Sequence, residues 1–204
     1  MGKKINSYFE DRAIDYMAKS NHGIWKIFRH KERDSIARLL NAKAHSSLLD
    51  LGSGAGYYAI YFKEEYNLDV FCVDSSPAMI DQLNKRGIPS RQVSIEDLDQ
   101  FQLFDNALAA GVLEFVKSPE KFFKSIFNII TPGGRLVILI PTHGSFGWLY
   151  RVVHALGGCK VFIRKSKEYE ELALQYGFIK IRSEKPTLIS RAICFEKFNE
   201  ENER

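Results

Sequence analysis

Residues 47–58 read SLLDLGSGAGYY. A short apolar run carries Asp50 near its end, and glycines fall at positions 52, 54 and 56. A buried strand, a tight glycine-rich turn and a helix, in that order, form the grip that a doubly wound fold uses on an adenosine-containing cofactor. Gly52 and Gly54 let the backbone turn sharply and approach a ligand where a Cβ would block the way. Asp50 at the strand's end narrows the choice of ligand. A carboxylate there repels a pyrophosphate but suits a group carrying ammonium or sulfonium charge.

Other glycine-loop sites fit less well. No Gly-Lys-Ser/Thr follows, so the loop is not a P-loop. The dinucleotide spacing G-x-G-x-x-G requires a glycine at 57, where this chain has Tyr57. The loop is instead D-x-G-x-G-x-G. The next apolar run, Val70-Phe71-Cys72-Val73, ends in Asp74, about 20 residues beyond the loop, where such folds place an acid that accepts hydrogen bonds from ribose hydroxyls. Asp74 also suits a helix N-terminal cap, because Ser75-Ser76-Pro77 follows it.

Outward from this centre, strands and helices alternate. Residues 47–51, 69–73, 90–94, 104–110 and 135–140 are predicted strands. Residues 56–65, 77–85 and 118–130 are predicted helices, the second with Ser76 as N-cap and Pro77 at its first position. The third helix closes in the turn 131–134. Such alternation means a parallel sheet with helices on both faces. After Pro141 the pattern changes to two helices, 147–156 and 166–176, and two strands, 178–184 and 187–196, joined through Lys185-Pro186 and paired antiparallel. Before the glycine loop, residues 5–40 show helical spacing broken at Ser20-Asn21-His22-Gly23. The expected architecture is a doubly wound, mostly parallel seven-stranded sheet with an antiparallel C-terminal strand pair. An N-terminal helical lid (residues 1–45) faces the substrate over a cofactor-binding unit (46–198).

The totals agree with one globular unit of 204 residues, 45% apolar and 26% charged. No apolar run approaches the ~20 residues of a membrane span. The opening MGKKINSYFEDR has no apolar core of a secretory signal, so the expected location is the cytoplasm. Cys72, Cys159 and Cys194 have no metal-ligand spacing and form no disulfide framework. Cys72 and Cys194 lie in apolar runs and read as small buried hydrophobes. No metal site is expected. A net charge of +4 permits an anionic substrate but falls short of a nucleic-acid binder's footprint.

As a set, LLDLGSGAGYY, VDSSPAMI, FDNALAAGVLEFVKSP and ITPGGRLVILIPT resemble the motifs of the class I S-adenosylmethionine-dependent methyltransferases. The resemblance runs from about Ser47 to Thr142 and more loosely beyond. It implies that main-chain groups of Gly52, Ser53 and Gly54 line the methionine part of the cofactor, with Asp50 near its ammonium group. It implies that Asp74 holds the ribose, that Ser75 and Met79 flank the adenosine, and that Ala110 and Gly111 pass close to the sulfonium. Members often carry an acid after the third strand that meets the adenine. This chain has Ser94 there, which passes that contact to Ile95 and Glu96. Where many relatives have His, this chain has Phe115, an apolar wall in place of a base.

The acceptor side must be built from the N-terminal helices and the segment after the fifth strand. His143, just past that strand, is the base candidate, and a loop histidine bonded to backbone is the alternative. Tyr8, with Phe9 and Tyr16, is a candidate aromatic lid, or a packing residue. His22 and Trp148 are further substrate-side candidates. Two basic runs, Lys26/Arg29/His30/Lys31/Arg33 and Lys160/Arg164/Lys165/Lys167, read either as solvated faces or as attractors of a carboxylate or phosphate compound.

The expected activity is therefore methyl transfer to a small apolar or anionic acceptor. The alternative is a non-catalytic module that binds the cofactor or scaffolds a partner. A nicotinamide oxidoreductase has the wrong glycine spacing. Methylation of a nucleic-acid base is disfavoured by Ala109-Ala110-Gly111-Val112, where that chemistry uses an Asn-Pro-Pro-Tyr-type loop.

Overall fold

The computed structural model describes residues 23–98, 101–143 and 161–199. It opens with helix α1 (Gly23–Leu40) and continues with β1 (Ser47–Leu51), α2 (Tyr57–Tyr66), β2 (Asp69–Asp74), α3 (Pro77–Lys85) and β3 (Ser90–Gln92). Strand β4 (Phe104–Ala110) leads through a 3-10 turn (Leu113–Phe115) to α4 (Pro119–Ile129) and β5 (Ile130–Pro141). Helix α5 (Ser166–Gln175) and strands β6 (Phe178–Glu184) and β7 (Ser190–Lys197) complete the described chain. One seven-stranded sheet runs in the order β3-β2-β1-β4-β5-β7-β6. The first five strands are parallel, and β7 lies antiparallel to both β5 and β6.

Alternation along each strand sends side chains to two separate cores. Leu49, Leu51, Val73, Ile138 and Phe195 meet α4 and α5 on one face. Leu48, Cys72, Val137, Leu139 and Cys194 meet α1, α2 and α3 on the other. Cys72 and Cys194 are wholly buried free thiols, as their apolar surroundings predict. Helix α1 shares the second core through Ile36, Leu39 and Leu40. It is tied to the far strands by Ser35 Oγ donating to Glu184 Oε2 at 2.8 Å and by Arg135 Nη1 donating to the Leu39 carbonyl at 3.3 Å. The second half of the expected lid is thus part of the packed body. No helix among the described residues is long and apolar enough to cross a membrane.

Three element boundaries differ by more than one residue from the sequence expectation. The turn 131–134 does not precede the fifth strand but interrupts it: β4 pairs Phe104 with Ile130 and then Asn106 with Arg135, so four residues bulge out of the ladder. β3 stops at Gln92 instead of reaching Ser94, although Val93 N still donates to the Asp74 carbonyl. The last strand begins at Ser190 instead of Thr187, because Thr187 Oγ1 bonds Ser190 Oγ at 2.6 Å and accepts from Ile189 N, closing a turn. The helix expected over 147–156 lies outside the described residues.

The strand order reverses between β1 and β4. This is the switch point where open α/β sheets leave a crevice at the strands' C-terminal ends. Gly52 enters that crevice at φ +65°, and a Cβ on it would overlap the side chain of Val112. A left-handed non-glycine residue costs about 1–2 kcal/mol and overpacking about as much again. Gly52→Ala should therefore lower the unfolding free energy by about 2–4 kcal/mol in a urea titration. A change smaller than ~0.5 kcal/mol would show that the turn is not under this constraint.

Candidate active site

Two carboxylates define the floor of the crevice. Asp50 follows Leu48 by two residues, so its side chain turns to the α2 face, where the Ala59 backbone N–H donates to it. It is 1% exposed, and its Oδ2 has no hydrogen-bond partner. Burial, and then the neighbouring Asp74 charge, push its pKa up to about 7. Asp74 is half-buried at the end of β2. Its Oδ2 accepts from Gly54 N and its Oδ1 from Ser76 N, both at 2.9 Å. Burial raises the Asp74 pKa, and the donors Ser76, Gly54 and Ser75 oppose the rise. One carboxylate thus ties the glycine turn to the start of α3. The N-cap role falls to Ser76, whose Oγ accepts from Met79 N, so Asp74 is not the cap.

The glycine turn is held on its other side by Gly52 N and Ser53 N, which donate to the Val73 carbonyl at 2.8 and 3.1 Å. The cavity above these turns is lined by Asp50, Gly52, Ser53, Gly54, Asp74, Ser75, Met79, Ile95, Ala110 and Gly111. Every predicted cofactor residue except Glu96 is therefore brought to one place. Glu96 follows Ile95 on the same turn, where its N–H donates to Ser94 Oγ at 3.3 Å, and it is not among the lining residues. Val112 and Phe115, both nearly buried, close the apolar side.

Helix α1 supplies a part of the site that was not singled out from the sequence. Arg29, named only as one member of a basic run, lines the cavity with Tyr57 and Tyr58. Its guanidinium lies 5.5 and 5.8 Å from the centres of the two tyrosine rings, and Nη1 donates to Tyr58 OH at 3.4 Å. Tyr58 OH in turn donates to Glu32 Oε2. Burial raises the Glu32 pKa, while Arg29 and the hydroxyls of Ser190 and Tyr58 act against the rise. One turn along, Arg33 stacks 4.2 Å from the Tyr61 ring. The signal was the four-residue spacing of Arg29/Arg33 and of Tyr57/Tyr61, legible only once the two helices are known to face each other.

His143 does not line this cavity. It belongs to a second depression, beyond the end of β5. Arg164 of the second basic run turns inward, donating to the carbonyls of Val116 and Lys117 at 3.0 and 2.7 Å. Tyr8, Phe9, Tyr16, His22, Trp148 and Lys160 lie outside the described residues.

A strand-turn-helix crevice with an acid at each of two adjacent strand ends and an apolar far wall is the arrangement that doubly wound folds use for nucleoside cofactors. The family model described as "Methyltransferase domain" matches residues 24–194, and the chain belongs to that family. Phosphoethanolamine N-methyltransferase 2 of Caenorhabditis elegans is 24% identical over 170 residues, which span 79% of this chain and 39% of that protein. The ubiquinone/menaquinone biosynthesis C-methyltransferase of Bdellovibrio bacteriovorus is 25% identical over 184 residues, spanning 81% and 77%. Among solved structures, magnesium protoporphyrin IX methyltransferase from Synechocystis, with bound S-adenosylhomocysteine, superposes with a TM-score of 0.74. It is 14% identical and covers 95% of this chain and 98% of that one. The match with the first relative thus spans well under half of that protein's length.

The sign of the Asp50 titration is testable in the ligand-free protein. A carboxyl whose folded-state pKa is raised keeps its proton while the unfolded chain loses one. Its contribution to stability is full below about pH 4 and is lost as pH rises through about 7. Asp50→Asn removes the charge, so the variant should gain on the wild type by about 4 kcal/mol of unfolding free energy between pH 4 and 8. Parallel urea titrations of the two proteins check this, and a pH-independent difference would refute the burial argument.

Proposed function

We propose that this chain transfers a methyl group from S-adenosylmethionine to a small-molecule acceptor, apolar or anionic. The unmet, buried Oδ2 of Asp50 carries the reading. A partnerless carboxylate oxygen costs free energy unless a donor arrives, and the cofactor's ammonium group is such a donor. Gly52, Ser53 and Gly54 present main chain to the methionine part. Asp74, already fixed by two backbone donors, keeps acceptor capacity for ribose hydroxyls. Met79 and Ile95 offer apolar contact to the adenine, and Ala110 and Gly111 border the reacting end.

The bound cofactor would supply an electrophilic methyl on a good leaving group. The chain's own task is then to orient the acceptor and exclude water, and orientation is worth ~7–11 kcal/mol in such reactions. Val112 and Phe115 provide the dry wall. No histidine is among the described residues lining the cavity. The names of these two relatives concern small molecules, phosphoethanolamine and the biosynthesis of ubiquinone/menaquinone, and support an acceptor of that size in preference to nucleic acid.

Calorimetric titration should show S-adenosylmethionine and S-adenosylhomocysteine binding to the wild type. Asp74→Ala should weaken both by at least about tenfold, about 1.4 kcal/mol. Binding of NADH with none of S-adenosylmethionine would overturn the assignment.

A further inference from the structure

Beyond the end of β5 lies an open depression of about 380 Å³. Its described lining carries five basic side chains: His143, Lys165, Lys167, Lys185 and Arg191. They arrive from four separate places: the end of β5, the start of α5, the β6–β7 connection and the start of β7. No acidic residue is among that lining. Like charges converging on one concavity repel one another over a screening length of about 8 Å. A fold tolerates that arrangement most readily where an anion fills the space.

Local partners only partly neutralise the group. Lys167 Nζ pairs with Glu171 at 3.5 Å, in an exposed helical pair of little net strength. Arg191 Nη1 donates to the neutral Ser183 hydroxyl at 3.0 Å, which orients the guanidinium and leaves its charge uncancelled. Ser166, the first residue of α5, also lines the depression, while at that helix start the Lys165 N–H donates to Glu168 Oε1 at 2.8 Å. At the rim, Thr142 N and Oγ1 donate to the carbonyls of Ile189 and Leu188 at 2.9 and 3.0 Å.

The depression is a close neighbour of the proposed cofactor site. Gly111, which borders that cavity, donates from its N–H to the Leu139 carbonyl at 2.9 Å. Ile140 and Pro141, the next two residues of β5, line the basic depression. Adjacent strands are about 4.8 Å apart, so one small molecule can span both places.

We infer that this depression holds a phosphate-bearing group, a monoester or diphosphate, of the small-molecule acceptor. The inference rests on the proposed methyl transfer for the word acceptor, but not for the anion site itself. Four formal cations and a histidine suit a multiply charged group better than a single carboxylate. In this assignment His143 is a binding residue.

The experiment has two arms. Pyrophosphate is titrated calorimetrically into the wild type, into Lys165→Gln/Lys185→Gln, and into the charge-matched control Lys85→Gln/Lys121→Gln, whose sites are exposed and outside the depression. The wild type should show saturable binding, weakened at least about tenfold in the first variant and within about twofold in the control. S-adenosylhomocysteine should bind all three alike, and its failure to bind would count against the cofactor reading alone. No saturable pyrophosphate binding, equal loss in both variants, or binding only to vesicles bearing phosphatidic acid would each overturn the inference.

In the second arm, the small-molecule fraction of a cell extract is incubated with protein and methyl-labelled S-adenosylmethionine, with and without prior phosphatase treatment. The labelled product should disappear after phosphatase, and undiminished labelling would overturn the inference. If no label is transferred at all, the methyl-transfer reading fails and the pyrophosphate arm still decides the anion site.

Discussion

Two carboxylates at the ends of neighbouring parallel strands, one with an oxygen that nothing in the protein satisfies, set the terms for the rest of this site. Burial raises the cost of ionising both acids, and the Asp74 charge adds to it at Asp50. Asp74 is kept by backbone donors from two turns. Asp50 has only the Ala59 N–H, and its Oδ2 waits for a partner. Stability is thereby given up locally, the usual compromise of a functional site.

The surrounding fold serves this arrangement. The strand order reverses between β1 and β4, so the crevice opens beside Asp50, with Asp74 one strand further on. Alternation along β1 sends Leu49 and Leu51 into the α4/α5 core, while Asp50 faces the first turn of α2. Helix α1 crosses the other core and carries Arg29 to the crevice, held there by the tyrosines that open α2. A second, basic edge follows one strand further on, at the ends of β5 and β7. The C-terminal edge of the sheet thus presents acidic, apolar and basic surfaces in sequence, as binding of a cationic cofactor beside an anionic acceptor would require.

Much of this was legible in the chain. The apolar runs of β1, β4 and β6 and the Ser76-Pro77 cap of α3 have the bounds that local chemistry predicts, because each is bracketed by its own turn or capping signal. The glycine turn and both acids were legible because a strand's end is marked in sequence. What was missed depends on contacts between distant segments. Arg29 looks like any residue of a solvated basic face until α2 is placed beside it. Glu96 was grouped with Ile95 by adjacency, yet the turn directs only Ile95 to the cavity. The role expected of His143 followed from its position after the fifth strand, whereas its surroundings are set by α5 and β7, far along the chain.

The central claim is that the Asp50 carboxylate is completed by the cofactor's ammonium group. Calorimetric titration of S-adenosylhomocysteine at pH 6, in two buffers of different ionisation enthalpy, counts the protons exchanged on binding. With Asp50 titrating near 7 in the free protein, the account predicts release of nearly one proton per ligand at pH 6, falling away by about pH 8 and absent in Asp50→Asn, which also binds more weakly. Proton-neutral binding at pH 6, with Asp50→Asn binding as tightly as the wild type, would contradict it.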